Sequence, residues 1–91
     1  MLKLIETKKY KKHLKKYRSN AKILDELEKI IMLLRNQKLI PEKYCDHQLK
    51  GKMGYIRELH LKPDNLLLYY IITKDNLLTL VDIGSHSDIF G

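Results

Sequence analysis

The spacing of apolar positions changes along the chain, and each change marks a new element. Leu2 to Ile5 is short and apolar on alternate positions, which predicts a strand entering the fold. Thr7 can cap a following helix with Tyr10, Leu14 and Tyr17 on one face and lysines elsewhere. Ser19-Asn20 breaks this helix and can cap a second. From Ala21 to about Gln37, Ile23, Leu27, Ile30, Ile31 and Leu34 recur at helical spacing. Lys22 with Glu26, and Asp25 with Lys29, fall outside that stripe as i, i+4 pairs. Together these segments predict a helical hairpin.

Leu39 to Gly54 is a loop-rich bridge punctuated by Pro41, Gly51 and Gly54. The period then shortens to two. Tyr55 to Leu61 alternates, with Tyr55, Arg57, Leu59 and Leu61 on one side and Ile56, Glu58 and His60 on the other. Lys62-Pro63-Asp64-Asn65 has the residues of a tight turn. Leu66 to Ile72 is almost wholly apolar, as expected of a central strand buried on both faces. Thr73-Lys74-Asp75-Asn76 turns the chain again, Leu77 to Ile83 is a third strand, and Gly84 ends it before a short tail. The order β-α-α-β-β-β predicts an α+β fold: an antiparallel sheet with the helical hairpin packed on one face.

Length and charge sharpen this picture. Ninety-one residues suit one domain spanning 1–91. At 44% hydrophobic and 32% charged, the composition is that of a globular chain rather than a disordered one. Of the net charge of +7, residues 1–20 hold all, with eight basic side chains against Glu6 alone. Such a patch attracts polyanions, either nucleic acid or an acidic protein segment. Cys45 is the sole cysteine, which excludes an internal disulfide and fits a reducing, cytoplasmic setting. The longest apolar run, Leu66 to Ile72, is too short to cross a bilayer, so no membrane partner is expected.

Candidate chemistry lies in the second half: His47 in the bridge, His60 near a strand end, Asp64 in the next turn, His86 after the last strand. Taken alone, a turn aspartate after proline and exposed histidines are ordinary surface features. His60 and Asp64 are expected as neighbours, whereas strand direction is expected to carry His86 to the opposite end of the sheet unless the tail folds back. Three imidazoles and a carboxylate also suit zinc in type. Their scatter over a long span, without a compact motif, argues against a metal, and no cofactor is expected.

Three ordered motifs change that balance. Asp46-His47-Gln48-Leu49-Lys50-Gly51, Arg57-Glu58-Leu59-His60-Leu61-Lys62-Pro63-Asp64 and Ile83-Gly84-Ser85-His86-Ser87-Asp88-Ile89-Phe90-Gly91 resemble the YafQ branch of the RelE-type toxins. These are toxins of bacterial type II toxin–antitoxin pairs that cleave mRNA on the ribosome. The resemblance implies a RelE-like fold and a metal-independent endoribonuclease with His47, His60, Asp64 and His86 as catalytic residues. It also implies that Phe90 positions a nucleotide and that a cognate antitoxin, mRNA and ribosomal RNA are partners. Arg57 and the helix lysines Lys8, Lys9 and Lys12 are the expected RNA contacts.

The residue types fit that chemistry. Metal-free cleavage needs a base for the 2′-OH, an acid for the departing 5′-oxygen and donors around the phosphate, and it gives a 2′,3′-cyclic phosphate. Two positions depart from the family's pattern. Asp82 stands where the family usually has an arginine facing the scissile phosphate, and Asn65 where its type member has a tryptophan. A carboxylate facing RNA would repel it, so Asp82→Arg is expected to raise cleavage. The same feature supports an alternative: a catalytically weakened RNA- or antitoxin-binding member of the fold.

Overall fold

A computed structural model describes all residues, Met1–Gly91. Strand β1 (Lys3–Glu6) leads through Thr7 into helix α1 (Lys8–Leu14), which tightens into a 3₁₀ turn at Lys15–Tyr17. Helix α2 (Ala21–Arg35) follows. Both predicted caps form: the Thr7 side chain accepts from Tyr10 N–H and the Asn20 side chain from Ile23 N–H. Of the predicted outer-face pairs, Glu26 is instead engaged by the Tyr44 hydroxyl at 2.5 Å. That bond pushes the Tyr44 hydroxyl up to about 12.

The bridge contributes a two-residue strand, β2 (His47–Gln48). The meander follows as β3 (Arg57–Lys62), β4 (Asn65–Ile72) and β5 (Leu77–Gly84), and a short helix α3 (His86–Phe90) closes the chain. The five strands are ordered β1-β5-β4-β3-β2, with β4 in the middle as its apolar run predicts. One expectation is corrected. The sheet is mixed, because β1 pairs with β5 in parallel, Lys3 beside Leu77 and Glu6 beside Leu80. The helical hairpin carries the chain from β1 at one edge of the sheet to β2 at the other, and the meander returns to lay β5 beside β1.

The hairpin covers one face of the sheet. Tyr10, Tyr17, Ile23, Leu27, Ile30 and Leu34 from the helices join Leu59, Leu61, Leu67, Tyr69, Leu78, Leu80 and Ile83 from the strands in one cluster. Alternation sends the residues between them to the second face. There Glu58 lies opposite Leu68, His60 opposite Leu66, and Asp82 flanks Leu68 from the other side. The pairing of β4 with β5 shifts by one residue between Leu68 and Tyr69, so Val81–Asp82 forms a bulge. Bulges re-aim side chains, and this one turns Asp82 toward α1.

Candidate active site

Register decides what the second face collects. His60 and Gly84 both flank Leu66, so the end of β5 lies at the same edge as the end of β3. The expectation that His86 sits at the opposite end is therefore wrong. In an antiparallel meander the first and third strands run the same way, and both finish beside the start of the second. Ser85 then begins α3 with a reciprocal capping box: its hydroxyl accepts from Asp88 N–H while Asp88 accepts from Ser85 N–H. Lys16, in the 3₁₀ turn after α1, donates to the same carboxylate at 2.8 Å. The Lys16 ammonium first, and the Ser85 N–H second, hold the Asp88 carboxyl down at about 2.

The outcome is a row of rings. His47 and His60 have centroids 6.5 Å apart, His60 and His86 6.2 Å, and His86 and Phe90 5.8 Å. Three of the four predicted catalytic residues and the predicted nucleotide-positioning aromatic thus line up. Asp64 lies exposed in the turn after His60 and forms no hydrogen bond or ion pair with a histidine. Its charge is felt instead at Lys16. Asn65 donates to the Tyr17 hydroxyl at 3.2 Å and ties this turn to α1.

Beneath the row sits a carboxylate that the motifs left without a role. Glu58 is 4% exposed, and its Oε1 lies 3.6 Å from His47 Nε2 and 3.5 Å from His60 Nε2. The same sides of the two rings are also fixed. His47 Nδ1–H donates to the Cys45 carbonyl at 2.7 Å and His60 Nδ1 faces the Pro63 carbonyl at 3.3 Å. A carbonyl can only accept, so each Nδ1 carries the proton and each Nε2 is the nitrogen that can gain or lose one. Glu58 was legible in principle, since alternation already placed it on the side of His60.

Other predicted contacts lie elsewhere. Arg57 points to the opposite side of β3, where it pairs with Asp46 at 3.2 Å, and Asp46 also accepts from the Tyr69 hydroxyl at 2.5 Å. Burial and then Asp46 push the Tyr69 hydroxyl up, and the bond to Asp46 raises Arg57 further. This guanidinium is committed to the bridge loop and does not reach the histidines. Lys8 and Lys12 project into solvent from α1, and Lys9 Nζ lies 3.5 Å from Asp82. Asp82 does not face outward to repel RNA: it is 1% exposed and accepts from Ile83 N–H at 2.8 Å and from His13 Nδ1–H at 2.6 Å. The expected gain from Asp82→Arg falls with that geometry, because an arginine there would strand His13 and bury a cation. Beside His60 opens a hollow of about 400 Å³, bounded by Tyr44, Cys45 and Leu61 and rimmed by Lys43 and Lys62. No three His, Cys, Asp or Glu side chains stand close enough to share a metal ion.

The protein is basic and α+β, and its sheet turns one face to the helices and lines the other with imidazoles over a buried carboxylate. Comparison with known proteins identifies the family. Residues 2–91 match the family described as the bacterial toxin of type II toxin-antitoxin system, YafQ, and the chain belongs to that family. It is 34% identical over 83 residues to the mRNA interferase toxin YafQ of Escherichia coli K12, covering 90% of this chain and 88% of that one. A metal-bound toxin from Helicobacter pylori superposes with a TM-score of 0.90 at 43% identity, over 99% of this chain and 100% of that one. The E. coli DinJ-YafQ complex superposes with a TM-score of 0.85 at 27% identity, over the full length of both chains.

Proposed function

We propose that the chain is a toxin that cuts ribosome-bound mRNA by acid–base catalysis without a metal, and that a cognate antitoxin restrains it. The observation that carries this reading is the row His47–His60–His86–Phe90 set over Glu58. His47 or His60 takes the proton from the 2′-OH through its Nε2, and the Glu58 carboxylate 3.5–3.6 Å away stabilises the imidazolium that forms. The 2′-oxygen attacks phosphorus, the bond to the 5′-oxygen breaks, and His86 supplies the proton to that leaving oxygen. Asp64 is assigned to support this proton transfer by the family resemblance alone, since it makes no hydrogen bond or ion pair with a histidine. The products are a 2′,3′-cyclic phosphate and a 5′-hydroxyl. Phe90 stacks on a base next to the scissile phosphate, a contact worth about 1–3 kcal/mol.

The relatives support substrate and partner. The E. coli protein is named an mRNA interferase, and one E. coli structure is a toxin–antitoxin complex. The eight basic side chains of residues 1–20 supply the charge for ribosomal RNA, and the cytoplasm is where such a substrate is found. No helix is long and apolar enough to cross a membrane. The reading as a weakened binder rests on Asp82 in place of the family's arginine; burial of Asp82 against His13 removes the repulsion of RNA, while the position still lacks that cation.

Induction in a bacterial host, followed by 5′-end mapping with and without translation, tests the proposal. Cuts should follow the reading frame, need ongoing translation and persist in a strong chelator on purified ribosomes. His86→Ala should lower the cleavage rate about a hundred- to ten-thousandfold. Cleavage that ignores frame, or that His86→Ala leaves intact, would sink it.

A further inference from the structure

Three of the chain's four histidines line the second face, and the fourth, His13 of α1, belongs to no motif and reaches Asp82 on the bulge of β5. We propose that His13, held by the buried Asp82, binds a phosphodiester oxygen of the RNA on the β5 side of the histidine row. This rests on the reading above, in which that face holds RNA.

Placement comes first. Glu58 and Asp82 flank the same residue, Leu68, from the two neighbouring strands, so their side chains emerge on the same face. Both are buried, at 4% and 1% exposed, and each lies against imidazole: Glu58 against His47 and His60, Asp82 against His13. Lys9 and His13 of α1, with Lys16 of the 3₁₀ turn that continues it, share one face by their spacing. That face meets β5 through Asp82 and α3 through Asp88, two residues beyond His86. His13 therefore stands between the bulged end of β5 and the helix that carries His86 and Phe90.

Chemistry comes second. A buried carboxylate is costly unless a partner repays its lost hydration. Asp82 Oδ1 has two donors, but its Oδ2 has no hydrogen bond and only Lys9 at 3.5 Å. An acidic side chain kept in that condition, on a bulge, 69 residues from its imidazole partner, is poorly explained as packing. Because the carboxylate accepts from Nδ1–H, His13 is fixed in one orientation with Nε2 free of protein partners. Its side chain is 28% exposed, which leaves it open to a ligand from solvent. Bound RNA would bring a phosphate oxygen to Nε2–H while Asp82 compensates the charge on the ring, a charge-assisted bond of the strong kind. Lys9 and Lys16 on either side add positive charge to the same station.

Nitrogen-detected NMR of the native protein reads the four imidazoles separately. A short RNA carrying 2′-O-methyl groups, which cannot be cut, is the probe. His13 Nε2 should shift together with the Nε2 resonances of His60 and His86. Shifts at His60 and His86 with none at His13 would overturn this inference and leave the proposed function standing. No shift at any histidine would count against both. Kinetics provide the second arm, on ribosomes programmed with mRNA under single turnover. His13→Gln should slow cleavage by about ten- to a hundredfold, and His13→Lys, which returns a cation, should recover most of that loss. Equal rates for native protein and a folded His13→Gln variant, or no rescue by lysine, would reduce the pair to a structural latch.

Discussion

Leu59 and Glu58 are consecutive residues on one strand, both buried, and they do opposite work. Leu59 faces the helices within an apolar cluster, where burial itself is the stabilising force. Glu58 faces the other way into a layer of imidazoles, where burial is a cost that only His47 and His60 offset. The same contrast runs across the sheet, with Leu80 and Ile83 on the helical face and Asp82 on the other. One face therefore makes the sheet stable, and that stability lets the other hold charges in a fixed geometry. Preorganised groups of this kind are what acid–base catalysis requires.

The comparison breaks first on the helical side. Leu59→Ala removes buried methyl groups from a site that is 0% exposed, surrounded by rigid neighbours. Such truncations cost about 2–5 kcal/mol. In a domain of this size each kcal/mol moves the midpoint by about 4–8 °C, so the melting temperature should fall by roughly 10 °C or more. A calorimetric midpoint within a few degrees of native would show that the cluster is not the chief source of stability.

The histidine side should respond in the reverse sense. Glu58→Leu replaces a buried carboxylate by an apolar side chain next to Ile56 and Leu68, which are themselves buried on that face. Thermal stability should stay within about 1 kcal/mol of native or rise. Cleavage on programmed ribosomes should drop by about tenfold or more, because His47 and His60 lose the carboxylate that stabilises the imidazolium. Loss of stability with unchanged cleavage would invert the assignment of the two faces.

The difference between the faces also governs what sequence can reveal. The helical hairpin and the meander were readable because Thr7 and Asn20 cap locally and apolar residues keep one period within each element. The residues His47, His60 and His86 that the motifs singled out stand in one row in the fold. Their gathering depended on strand direction, and an error there placed His86 at the wrong end. Two residues of β2 and five of α3 carry no periodic signal, although Ser85 and Asp88 have the spacing of a capping box. The parallel pairing of β1 with β5 follows from how the meander returns across the sheet, a global property. His13 was unreadable for a stronger reason: its partner lies 69 residues away and faces it only because β5 bulges.

The smallest effect concerns how α3 is fastened to this scaffold. Asp88 holds the capping box and the bridge to Lys16 together, and these partners lower its carboxyl from an ordinary 3.8 to about 2. A carboxyl depressed in the folded state stabilises that state fully above its ordinary value, and the contribution disappears as pH falls through the folded value. The window therefore runs from about pH 4 down to pH 2, and neutral pH lies outside it. Amide exchange in α3 should rise across that window before the amides of β4 change, since the bridge is exposed and the central strand is buried. Asp88→Asn should produce the same fraying at pH 7, with His86 and Phe90 less ordered and cleavage reduced by a few-fold. If α3 and β4 lose protection together on acidification, the last helix is secured by the sheet itself and not by this bridge.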